Sequence, residues 1–156
     1  METPKQDGVK TAASLIRAGG AGALSVIDVK TGGPFVTLVN VASDATARPV
    51  ILTSALSHHT QCLKANPRSA IMLHAELPPD GDPLTAFRVT LSGEFQPVAR
   101  EDVAALFLAR HPYADFYASF ADFGYWRMEP LHAHIIAGFG RAYSVPFREI
   151  SRIAAS

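Results

Sequence analysis

Turn signals punctuate this chain too closely for most of its segments to be joined by crossover connections. They fall at Gly19-Gly20, Lys30 to Pro34, Arg48-Pro49, Asn66-Pro67 and Pro78 to Pro83. Between them lie runs with apolar residues near every second position: ALSVID (23–28), FVTLVNVAS (35–43), PVILTS (49–54), RSAIMLHAEL (68–77) and FRVTLSGEFQPV (87–98). Such runs read as strands whose side chains alternate between two faces. Parallel neighbours need a connection of about a dozen residues or more, whereas short links favour antiparallel pairing. Gly93, in the middle of the longest run, marks a bulge or bend.

Helical spacing is confined to short stretches. GVKTAASLIRA (8–18) is amphipathic and is closed by Gly19-Gly20. Ser57 stands as the cap of a short helix that ends at Asn66-Pro67. REDVAALFLARH (100–111) has acidic residues in its first turn and Arg110 and His111 in its last, which suits the helix dipole, and Pro112 ends it. After an aromatic stretch from Tyr113 to Tyr125, the alternation over Leu131 to Ile135 predicts one or two closing strands. The predicted architecture is mainly β: a six-stranded, antiparallel, Greek-key split β-barrel with a few short flanking helices. It is expected to form a single domain over 1–156, with a helix inside 1–20 and a peripheral tail at 144–156.

Charge sets limits on partners. Fourteen basic residues balance fourteen acidic ones, so the global field gives no reason to expect nucleic acid or an anionic membrane. The charged fraction of 18%, against 48% hydrophobic, points to surface covered by another subunit. A lone cysteine, Cys62, excludes an internal disulfide; with no leader pattern and no long apolar run, the expected setting is the cytoplasm.

Chemistry concentrates in PVILTSALSHHT (49–60), where hydroxyls and imidazoles crowd a strand end and the first turn of a helix. The first N–H groups of a helix lack internal partners and lie at its positive end, so a phosphate is readily held there. His59 adds a donor or a charge near neutral pH. On spacing alone the plainer reading has weight too: Ser57 caps, Thr53 favours a strand, and the histidines are solvated.

Four blocks, GPFVTLVN (33–40), PVILTSALSHHTQCLKANPRSAIML (49–73), RVTLSGEFQPV (88–98) and FADFGYWRMEPLHAHIIAGFGRA (120–142), carry a family likeness. From Gly33 to Arg141 the chain resembles the pyridoxamine 5′-phosphate oxidase-related FMN-binding split-barrel superfamily, and within it the heme-utilisation oxygenase-like branch. The resemblance implies an FMN cofactor bound across the seam of a homodimer. It implies that Thr37, Val39 and Asn40 meet the flavin, and that Thr53, Ser54, Ser57, His59 and Thr60 meet its phosphate. Trp126, Arg127 and Arg141 would come from the partner subunit, and Arg88 would lie near the cofactor. Many members carry lysine or arginine where this chain has His59, and pyridoxamine phosphate oxidases carry arginine near Thr37; both departures remove fixed positive charge. The implied function is a flavin-dependent oxidoreductase acting on a small molecule at that seam. Heme binding or degradation is a second reading. It ranks behind because fuller members of the branch have a further C-terminal domain, whereas this sequence ends at Ser156. A non-catalytic ligand-binding module is the third.

No metal site is expected. His132 and His134 share a strand face but lack a third ligand, and His58-His59 diverge on a helix. Cys62 reads as a semi-buried core thiol. Gly19 to Gly22 reads as a turn, not a dinucleotide loop, because it precedes a strand. Phe116, Tyr117, Phe120, Phe123, Tyr125 and Trp126 suit a dimer seam or the walls of a flat ligand's pocket.

Overall fold

The computed structural model describes residues 1–156. Its strands are β1 (Gly20–Ile27), β2 (Pro34–Ser43), β3 (Pro49–Ser54), β4 (Arg68–His74), β5 (Arg88–Val98), β6 (Phe123–Ile136) and β7 (Ala142–Pro146). All pairings are antiparallel, in the order β3-β2-β1-β4-β5-β6-β7. A further pairing of β3 with β6 closes the first six strands into a ring, leaving β7 outside. After the β1-β2-β3 meander the chain returns through β4 to lie beside β1, which is the Greek-key step. The mainly β, six-stranded barrel expected from the strand pattern is therefore the fold. No helix is long and apolar enough to cross a membrane.

Alternation places one set of side chains inside the ring. Leu24 and Val26 of β1, Ile71 and Leu73 of β4, Val89, Leu91 and Phe95 of β5, and Met128, Ala133 and Ile135 of β6 are all buried there. Between β5 and β6 the register slips at Ser92/Gly93, so the bulge lies where the glycine predicted it. A Cβ on Gly93 would collide with the Glu129 carbonyl oxygen and sit 2.7 Å from Pro130 Cα. The same irregularity accommodates Pro130, which has no N–H to give to the ladder. For that reason β6 runs through Pro130 as one strand of 14 residues.

Five helices flank the barrel: α1 (Pro4–Ala18), α2 (His58–Ala65), α3 (Arg100–Arg110), α4 (Asp115–Ala118) and α5 (Phe147–Ala154). Helix α1 starts one turn earlier than its apolar spacing suggested. Thr3 and Gln6 form a capping box ahead of a polar first turn, a signal carried by hydrogen bonding and not by hydrophobicity. Gly20 to Gly22 belong to β1, paired with Val41 to Val39, and not to a turn. His111 does not serve the α3 dipole: its ring is buried, with Nε2 2.8 Å from the Val41 carbonyl and Nδ1 2.7 Å from Tyr113 Oη.

The expected tail at 144–156 is also corrected. Residues up to Pro146 complete β7, and α5 then packs on α1, burying Phe147 and Ile150. Arg17 of α1 donates to the Ala154 carbonyl at 3.0 Å. Pro146 is the residue from which α5 departs.

Candidate functional site

Strand β3 delivers Thr53 to the barrel rim, and the turn through Ser57 brings α2 back over it. Thr53 Oγ1 lies 2.7 Å from His59 Nε2, 2.7 Å from Thr60 Oγ1 and 3.0 Å from Ser57 Oγ. Ser57 Oγ in turn sits 2.6 Å from Thr60 Oγ1 and donates to the Ser54 carbonyl at 2.8 Å. Four of the phosphate-site residues expected from the sequence thus form one hydrogen-bonded cluster. Ser57 occupies the cap position of α2 without capping it, because its hydroxyl turns into the cluster. The first N–H groups of α2 are left without a side-chain cap.

Ser54 joins the same rim in a different way. It donates to Asp122 Oδ2 at 2.7 Å and accepts from the Leu56 N–H, so its proton is committed. His59 is held below the ordinary histidine range, first by burial and then by its neighbour His58. The cluster therefore offers neutral donors and a helix end, and no fixed cation.

Val39, Asn40, Thr53, Ser54, Ser57 and His59 share a groove of about 310 Å³ with Leu38, Leu52, Tyr117 and Phe123. One end is polar and the floor is apolar. Tyr117 and Phe123 pack with tilted rings at 5.0 Å between centroids, and Phe120 lies edge-on to Phe123 at 6.2 Å. Exposed Leu56 and Phe116 adjoin its lining residues in sequence, and exposed Val36 lies two residues from Leu38 on β2.

Other candidates fall outside the groove. Thr37 pairs with Leu24 further along β2. Arg88 staples the loop before β5 by donating to the Leu84 and Ala86 carbonyls. Trp126 is buried in the core, opposite Ile51 of β3. Arg141 closes the β6–β7 turn by donating to the Ala137 carbonyl at 2.8 Å. Arg127 leans toward Asp44 and Glu129, each at 3.8 Å. Within one chain these side chains have ordinary roles, since a charged or aromatic residue near a strand end can brace a turn or fill the core.

The sequence reading missed Leu38, Leu52 and Asp122. Leu38 and Leu52 carry a legible signal, being apolar residues beside polar candidates on β2 and β3. Asp122 has none, because its link to Ser54 depends on how β6 enters the barrel. Adjacent His58 and His59 diverge as expected: His59 faces Thr53, while His58 faces Asp28 and Cys62.

Comparisons with known proteins agree on the fold. The sequence profile described as CREG, β-barrel matches residues 3–151. The chloroplastic heme oxygenase HOZ of Arabidopsis thaliana is 34% identical over 126 residues, 78% of this chain. The chain spans only 38% of that relative. A heme-binding protein from Mycobacterium smegmatis superposes with a TM-score of 0.84 at 23% identity, over 97% of this chain and 62% of the other. A general stress protein 26-related protein of the pyridoxinephosphate oxidase family, from Clostridium acetobutylicum, superposes with a TM-score of 0.70 at 11% identity, over 93% and 98%.

Proposed function

The chain belongs to the CREG β-barrel family, and from that premise we propose that it binds heme in the groove beside α2. The observation that carries this reading is the meeting, in one groove, of a donor-rich end at Ser57 and His59 with an apolar floor at Leu38, Leu52 and Phe123. A planar macrocycle with anionic side chains needs both parts. The relative named for heme oxygenation gives heme the first place, ahead of the flavin that the sequence favoured.

The fit is specific about charge. Carboxylates or a phosphate would meet α2 N–H groups and hydroxyl donors, with burial disfavouring the charged form of His59. Binding through such donors is expected to depend little on ionic strength. Once bound, heme supplies iron chemistry; the protein's part is to hold the ring, screen one face with Leu38 and Phe123, and fix the anionic edge at α2. A volume of about 310 Å³ is at the lower end for a ligand site, so a second copy of the chain over exposed Val36, Leu38 and Phe116 completes the enclosure.

FMN is the second reading, favoured by one feature. Without a side-chain cap, the start of α2 suits a phosphate, which gains more from a helix N-terminus than a carboxylate of lower charge. The two are separated by titrating the purified chain with hemin and, in parallel, with FMN. A saturable shift of the Soret band, weakened in a Ser57→Ala, His59→Ala double variant of intact fold, is expected. Saturable quenching of FMN fluorescence without a Soret shift would reassign the groove to flavin. A double variant that binds as well as the parent would place the ligand elsewhere.

A further inference from the structure

On the face of α2 turned away from the groove, three side chains of different chemistry converge. His58 and Cys62 are four residues apart, one above the other on the helix, and His58 Nε2 lies 3.6 Å from Cys62 Sγ. Asp28, at the end of the β1–β2 hairpin, brings Oδ2 to 3.3 Å from the same nitrogen. All three ligand atoms fall within 4.8 Å of one another.

We propose that Asp28, His58 and Cys62 form a binding site for a divalent cation of the zinc class. Tetrahedral zinc, with bonds of about 2.3 Å to sulfur and about 2.0–2.1 Å to nitrogen or oxygen, sets sulfur and nitrogen about 3.5 Å apart and nitrogen and oxygen about 3.3 Å apart. Two edges of the triangle already have these lengths, 3.6 Å and 3.3 Å. Closing the third takes a movement of at most about 1.3 Å by the part-exposed carboxylate.

Each ligand is oriented by a neighbour. The Lys30 N–H donates to Asp28 Oδ1 at 2.8 Å, which leaves Oδ2 facing the site. The Val29 N–H points at Cys62 Sγ from 3.5 Å and helps to orient it. Phe35 sets its ring at 85° to the His58 imidazole, with centroids 4.9 Å apart, and so fixes the imidazole plane. Hydrogen bonds, led by that from the Lys30 amide, hold the Asp28 carboxyl below the ordinary carboxylate range, so it is ionised at neutral pH.

Access and chemistry are consistent. Cys62 is fully buried, while the side chains of His58 and Asp28 are 35% and 16% exposed, so an ion enters from their side. Binding displaces the thiol proton to solvent and moves the imidazole proton to Nδ1, leaving the Nε2 lone pair for the metal. Three protein ligands leave the fourth position to water. Adjacent histidines are a poor chelating pair, but His58 with Cys62 is a good one, and Asp28 joins only through the hairpin.

Cobalt(II) tests the site directly. The full chain, stripped with a chelator and kept reduced with a phosphine, is titrated with Co²⁺ and read by absorbance. Visible bands of tetrahedral cobalt with a near-ultraviolet thiolate-to-cobalt band, both removed by Zn²⁺, are expected. Cys62 is the chain's single cysteine, so the thiolate band has one possible source. Cys62→Ser should abolish it, and Asp28→Asn and His58→Ala should each weaken affinity by at least about tenfold. Should Cys62→Ser fail to fold, Asp28→Asn, on the hairpin turn, still decides. Absence of the thiolate band in the parent chain would overturn the proposal, as would a band of unchanged affinity in Asp28→Asn and His58→Ala.

Discussion

Replacing Thr53 by valine isolates one hydroxyl at the centre of the groove's polar end. Valine keeps the volume and the strand preference of threonine, so the barrel wall at β3 is undisturbed. What is lost is an oxygen within 3.0 Å of Ser57, His59 and Thr60, at a position only 5% exposed, where water does not replace it. Ser57 and Thr60 keep each other at 2.6 Å, and each loses one net hydrogen bond. His59 Nε2 keeps only Ser57 Oγ at 3.5 Å, too far to satisfy a half-buried imidazole. Counting one orphaned polar group and two weakened neighbours, the cost is about 2–3 kcal/mol. For a domain of this size that corresponds to a fall in Tm of roughly 4–12 °C. Urea unfolding followed by circular dichroism should show a lower midpoint with an unchanged slope. Thr90→Val is the control, since Thr90 sits in β5 with no side-chain hydrogen bond, and it should change stability by less than about 0.5 kcal/mol. If Thr53→Val were as mild as its control, the cluster would not be the buried network described.

Three further outcomes follow from other parts of the molecule. Gly93→Ala should destabilise by about 2–4 kcal/mol, because its Cβ collides with the backbone of β6 and the two strands must separate; denaturant midpoints measure this, and a neutral effect would contradict the bulge. Asp44→Ala should cost about 3 kcal/mol, since this carboxylate accepts from the Thr46 N–H and hydroxyl and from the Arg48 N–H and Nε–H; a loss below about 0.5 kcal/mol would show the β2–β3 turn to be held by other means. Burial lowers the pKa of His111 and of His59 in the folded chain, so the unfolded chain takes up protons first as pH falls. Their contribution is complete above the unfolded value of about 6.5 and is lost as pH drops from there through the lower folded values, so thermal scans should show Tm declining below that point, less steeply in His111→Gln.

The strand order was legible because alternation and turn residues act locally. β2, β3 and β5 lie where period-two runs and their punctuation place them. Less visible were features that depend on distant partners. The first turn of α1 is polar and shows only in its capping box, and α5 is stabilised by packing on α1 from the far end of the chain. In the groove, the hydroxyls and His59 were readable because a strand end and a helix start bring them together within a few residues. Arg88 and Trp126 have within-chain roles, bracing a loop and filling the core, that residue type alone does not reveal. The Asp28–His58–Cys62 cluster mixes both kinds of information: helical spacing pairs the last two, and only the hairpin supplies the first.

The pairing of β3 with β6 has a consequence for synthesis on the ribosome. Val50 meets Arg127 and Ser54 meets Phe123, so the ring stays open until the second half of the chain has emerged. Until then β1 to β5 form at most a curled sheet with two raw edges, at β3 and β5, whose backbone groups are free to pair with any strand nearby. Nascent chains arrested before β6 should accordingly be degraded readily by protease, and those arrested after it resist. The last strand to close the barrel is also the one that ends the chain's exposure to the wrong partner.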